Sequence, residues 1–196
     1  LTRARVLPFL ALLAAACVSL TPAQELALAE VRGMAGEAAR LYGLPPVDVL
    51  ASRNPSDPPG SYRRGFLAVS ADVLTSPFRD AVVAHELAHY VLRHDGPLRG
   101  ASPEERRRDL EQRELDANAK AVEILARVRG MSEAQALRLM YEYLLGVRWA
   151  LERSPRLDLA GHRPPCEEIA DLLARFPQHR GWTAALQCAP PSLREG

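Results

Sequence analysis

The chain has 196 residues, with 25 Lys and Arg against 24 Asp and Glu and a formal net charge of +1 at pH 7. That balance leaves no basic field for nucleic acid, and a 47% hydrophobic content suffices for the core of one domain. Lys120 is the only lysine, so the abundant arginines read as coding bias rather than as a binding signal.

At the N-terminus Arg3 and Arg5 precede an apolar stretch over 6–16. It is too short to span a bilayer and matches the apolar segment of an export signal. Residues 1–23 are expected to be a leader and 24–196 an exported domain, in the periplasm or anchored to the membrane. Leu13-Ala14-Ala15-Ala16-Cys17 resembles a bacterial lipobox, in which Cys17 becomes the lipidated first residue, with Ala14 where Leu is usual. Cleavage at Ala14-Ala15-Ala16, or after Thr21-Pro22-Ala23, is the plain alternative. No second apolar segment is long enough to cross a membrane, so a soluble or lipid-tethered domain is expected.

The pattern then predicts a helix over 24–42, stopped by Gly43 with Pro45-Pro46 behind it. A short strand follows over 47–51, a Pro/Asp/Gly loop over 54–60 and a strand over 64–70. Ser76-Pro77 opens a helix containing the apolar run 81–92, and Asp95-Gly96-Pro97 and Arg99-Gly100 reverse the chain. Ser102, Pro103 and Glu105 form a capping-box start for a helix reaching about 129, with Gly130 beyond it. Further helices are expected over 133–152 and 165–176. The fold class is α+β, mainly helical, with a small edge-exposed sheet before the helix of the apolar run. The charge run 104–109 reads as a solvated helix face, and Tyr90, Tyr141 and Tyr143 as core or rim. Cys166 and Cys188 form an even pair once Cys17 is set aside, and an oxidising compartment would join them in a disulfide.

The informative motif is His85-Glu86-Leu87-Ala88-His89. On a helix the two imidazoles share a face and can reach one ion, while Glu86 projects beside it, able to take a proton from water. A catalytic zinc wants a third protein ligand. Arg113-Glu114-Leu115-Asp116-Ala117-Asn118, on a helix able to fold back antiparallel, offers Glu114 and Asp116. His94 reads as a helix-end residue near a ligand, and His179 lies in a turn with no role.

The run from His85 to His94, followed by Glu114-Leu115-Asp116-Ala117-Asn118, resembles the gluzincin peptidases of the HtpX and CAAX prenyl protease type. The resemblance implies one zinc per chain held by His85, His89 and Glu114, with Glu86 as general base. Asn118 stands where that family commonly has the Asp that hydrogen-bonds a ligand His, and Asp116 is a further candidate for that support. The ImmA/IrrE-type peptidases share the short E-x-x-A-N version. Gly161-His162-Arg163-Pro164-Pro165-Cys166-Glu167-Glu168-Ile169 is similar to a late H-P-P-x-E-E-R-I element, which makes His162 a candidate oxyanion donor. It departs from that element by an inserted Arg after His162 and a missing Arg before Ile169. In zincins the strand before the active helix walls the cleft, so Phe66-Leu67-Ala68-Val69 is expected to bind an extended peptide by strand addition.

The reading is a zinc-dependent endopeptidase of the bacterial cell envelope. It would act on polypeptides, with envelope proteins as the expected substrates and lipidated Cys17 as the expected membrane tether. Two alternatives stay open: a catalytically silent zincin-fold binding or assembly module, and an ImmA/IrrE-like regulatory peptidase.

Overall fold

The structure is a computed structural model that describes residues 19–54, 57–153, 161–179 and 188. Residues 1–18 of the expected leader, including Cys17, lie outside the described residues.

Helix α1 spans Pro22–Leu41 and begins inside the stretch read as leader. Thr21 sets that start: its hydroxyl accepts the Gln24 N–H and its own N–H donates to the Gln24 side chain. Leu28, Val31, Ala35 and Ala38 form the buried stripe of α1.

Three strands follow, β1 (Asp48–Ser52), β2 (Gly60–Arg63) and β3 (Phe66–Ser70), in spatial order β1-β3-β2. Strand β2 occupies the end of the expected loop over 54–60 and the residues after it. β3 pairs parallel with β1, from Asp48 opposite Phe66 to Ser52 opposite Ser70. It pairs antiparallel with β2, from Gly60 opposite Val69 to Arg63 opposite Phe66. This corrects the expected role of Phe66, Leu67, Ala68 and Val69. Their strand is central, with a partner on each side, and offers no edge for peptide addition. Leu67 and Val69 point into the core, and β2 is the edge strand packed on the motif helix.

A short helix α2 (Ala71–Leu74) leads to α3 (Arg79–Val91), which begins after Ser76-Pro77 rather than on it. The Ser76 hydroxyl accepts the Phe78 N–H just before that start. Ala81, Val83, Ala84, Leu87 and Ala88 bury α3 deeply, so the motif residues ride on a helix with no freedom to roll.

Helix α4 (Pro103–Arg129) has the expected capping box: Ser102 Oγ accepts the Glu105 N–H at 3.1 Å, and Glu105 accepts the Ser102 N–H at 2.9 Å. It packs extensively on α3, with His94 near Arg113 and His85 near Asn118, so the two helices run antiparallel. Helices α5 (Glu133–Arg153) and α6 (Pro165–Arg175) close over them, and a 3-10 turn spans Pro177–His179. Cys166, in the first turn of α6, is disulfide-bonded to Cys188 with a Cα–Cα distance of 5.3 Å. No helix among the described residues is long and apolar enough to cross a membrane.

Candidate metal centre

The spacing of four in α3 points His85 and His89 the same way, and α4 brings Glu114 opposite them. His85 Nε2 lies 3.1 Å from His89 Nε2 and 3.1 Å from Glu114 Oε2, and the third side, His89 Nε2 to Glu114 Oε2, is 3.2 Å. Ligands 2.0–2.1 Å from a tetrahedral zinc would be about 3.3 Å apart, so this triangle of donor atoms is of the right size and chemistry for such an ion. Among the described residues, this is the group of His, Cys, Asp and Glu side chains able to hold one.

Electrostatics follow from the crowding. Burial pushes Glu114 up, but hydrogen bonds and charge from His85 and His89 outweigh it and hold the carboxyl well below the ordinary carboxylate range. His85 shows the reciprocal effect: burial works against its charged form, yet Glu114 raises it to about 9. A metal ion at this point takes the place of protons.

Glu86 leaves α3 on the side of β2. Burial raises its carboxyl, His85 and His89 draw it down, Glu114 raises it again, and a hydrogen bond from the Tyr62 backbone draws it down. The balance lies above the ordinary value, as suits a proton acceptor that must later give the proton away.

Both candidate ligand histidines are held from behind. His85 Nδ1 meets Asn118 Oδ1 at 2.9 Å. His89 Nδ1 meets His94 Nδ1 at 3.0 Å. His94 is lowered to about 4 by burial, then by His89 and Arg113, which favours its neutral ring. Arg93, at φ 56°, turns the chain so that His94 folds back onto the helix it has just left. Asn118 thus lies against His85. Asp116 does not: it accepts from Gln112 at 2.9 Å and pairs with Arg175 of α6 at 2.8 Å, on another face of α4. Two residues along a helix is about 200° of rotation, which turns Asp116 away from the face shared by Glu114 and Asn118.

His162 reaches the centre from the segment before α6. Its Nε2 lies 3.5 Å from Glu114 Oε2, and its Nδ1 lies 3.0 Å from Glu168 Oε1. Burial lowers its basicity, but Glu168 and Glu114 more than offset this and raise it. Gly161 makes the approach possible. It has φ 92°, and a Cβ there would fall 2.5 Å from Leu110 Cδ2 on α4.

Two contributors escaped the sequence reading. Glu168, only 2% exposed, accepts from Asn118 Nδ2 at 3.0 Å as well as from His162. Its place in Glu167-Glu168 was visible, but not which of the two carboxylates turns inward. Tyr143 on α5 is pushed well up by burial and then by Glu86, Glu168 and Glu114, which sets its phenol among the acidic groups of the centre.

A family model described as the IrrE N-terminal-like domain matches residues 45–152. The chain belongs to that family. It is a zinc metallopeptidase-like family, and the matched stretch holds His85, Glu86, His89, Glu114 and Asn118. Membership therefore falls on the IrrE side of the resemblances drawn from sequence, not specifically on the HtpX and CAAX type. His162 and Glu168 lie beyond the matched residues. Comparison with curated proteins gave no significant match, and neither did comparison with solved structures.

Proposed function

We propose that this chain is a zinc-dependent endopeptidase of the bacterial cell envelope. The observation that carries the reading is the convergence of His85 Nε2, His89 Nε2 and Glu114 Oε2 to within 3.2 Å of one another, with Glu86 next to the first of them on the same helix. Zinc held there supplies a Lewis acid for water and for the scissile carbonyl. Glu86 takes the proton of the attacking water and delivers it to the leaving amine. His162, its Nδ1 facing Glu168, presents Nε2 to the developing oxyanion, and its basicity is raised by Glu168 and Glu114. The peptide adds to the outer edge of β2, the strand that lies along α3 beside Glu86.

The envelope assignment rests on the leader-like residues 1–16 and on the Cys166–Cys188 disulfide. The capping box of α1 favours removal of a leader between Ala16 and Cys17, since a cut after Ala23 would take Thr21 with it. Lipidation of Cys17 belongs to the same proposal. The family match supports a second reading within the same chemistry, a regulatory peptidase of the ImmA/IrrE kind that cleaves one dedicated partner.

Glu86→Gln tests the mechanism. Metal content by elemental analysis is expected to match wild type, while cleavage of an unfolded protein substrate falls by about 100-fold or more. An active Glu86→Gln protein removes Glu86 from the role of base. A wild type that binds zinc but cleaves neither unfolded proteins nor peptide libraries makes this chain a binding module.

A further inference from the structure

A histidine ligates a metal through Nε2 only when that atom carries no proton, so something must keep the proton of His85 on Nδ1. Its neighbour there is Asn118, which is 1% exposed. An amide side chain does not settle the matter. One edge accepts and the other donates, and a buried amide can be turned either way round at the same volume.

The far edge of Asn118 faces Glu168 Oε2 at 3.0 Å. The other oxygen of that carboxylate, Oε1, accepts the Arg163 backbone N–H at 3.1 Å and faces His162 Nδ1 at 3.0 Å. A carboxylate accepts and cannot donate, so Asn118 must turn Nδ2 towards Glu168 and Oδ1 towards His85. Oδ1 in turn can only accept, so Nδ1 of His85 keeps its proton and Nε2 is the nitrogen left to give up its own to an ion held with His89 and Glu114. Among the described residues no buried side-chain nitrogen or oxygen lacks a partner, so the row has no loose end from which to reverse.

We propose that Glu168 is the positioning residue of the metal centre: through Asn118 it fixes the proton of His85 on Nδ1, and through its second oxygen it fixes the orientation of His162. This rests on the metal-site reading above and deepens it. Glu168 is not one of the three donors and reaches them only through Asn118 and His162. It sets the direction of a chain of hydrogen bonds whose last member is a ligand.

The test is zinc affinity of the purified chain, measured by competition with a chromophoric chelator. Glu168→Gln keeps size and burial but allows either polarity. Reversing Asn118 then gives an N–H to His85 Nδ1 and drives the proton onto Nε2. Zinc affinity is expected to fall by about 10- to 100-fold. Adding Asn118→Asp should restore it to within a few-fold of wild type, because an Asp at 118 accepts only and fixes His85 whatever stands at 168. Loss without restoration means that Glu168 acts by packing, and overturns the proposal. So does a Glu168→Gln protein with wild-type affinity. So does a pair of variants, single and double, that both fail to fold by circular dichroism. If wild-type protein itself binds no zinc, the metal-site reading fails first. Retained wild-type binding beside any of the three adverse results isolates the failure to the role of Glu168.

Discussion

Gly60 lies against Glu86. A Cβ built at Gly60 would stand 2.8 Å from Glu86 Cγ and 2.7 Å from Val82 Cγ1, so β2 approaches α3 as closely as a backbone can. Any side chain at 60 must displace Glu86, Val82 or the strand. Gly60→Ala is expected to lower peptide cleavage at least about 10-fold, since small displacements of catalytic groups are costly. Zinc stoichiometry should stay at wild type because no ligand is touched. An alanine variant with full activity would show that Glu86 need not occupy this position.

Glu114 and Asp116 separate cleanly. Glu114→Ala should abolish zinc binding in elemental analysis. Asp116→Ala should leave it intact, because its partners are Arg175 and Gln112. Both members of the Asp116–Arg175 pair are about a third exposed, at 39% and 32%, so its loss should change stability by less than about 1 kcal/mol. Zinc lost from the Asp116 variant alone would reassign the third ligand.

The disulfide should be worth more. Cys166 and Cys188 are 22 residues apart, and closing such a loop stabilises by about 3 kcal/mol in the chain-entropy picture. Cys188→Ser should unfold at lower temperature than wild type in thermal melts. Dithiothreitol should bring wild type down to the variant and leave the variant unchanged. Equal melting of oxidised wild type and variant would contradict this.

Glu123 sets an acid limb of stability. Burial raises its carboxyl, but Lys120, Tyr42 and Arg127 outweigh that and hold it below the ordinary value of 4.5. A carboxyl depressed in the folded state stabilises above its unfolded value and loses that contribution as pH falls through the folded one. Glu123→Gln should therefore melt about 2 °C below wild type at pH 7, with the gap closing below about pH 4.5. A gap independent of pH would mean that the side chain contributes by packing alone.

Much of this centre was legible before any coordinate. His85, Glu86 and His89 follow from helical spacing, and the Ser102 capping box fixed the start of α4 and with it the height of Glu114. The exclusion of Asp116 was also available, because Glu114 and Asn118 are one turn apart and Asp116 falls between them on another face. The sheet order was not. β2 is four residues long, begins on a glycine after a proline-rich loop, and lacks the length that makes alternation visible. Missing it made β3 look like an edge. Glu168 was out of reach for a different reason: its contact with Asn118 spans 50 residues and exists only because α6 folds back over α4.

The family match ends at residue 152, and α6 begins at Pro165. A chain cut at that boundary would keep His85, Glu86, His89 and Glu114, and an inventory of candidate ligands would count it complete. It would lack the carboxylate that gives the inner hydrogen bonds their sense. In this protein the candidate ligands and the carboxylate proposed to orient them are written in different stretches of the chain.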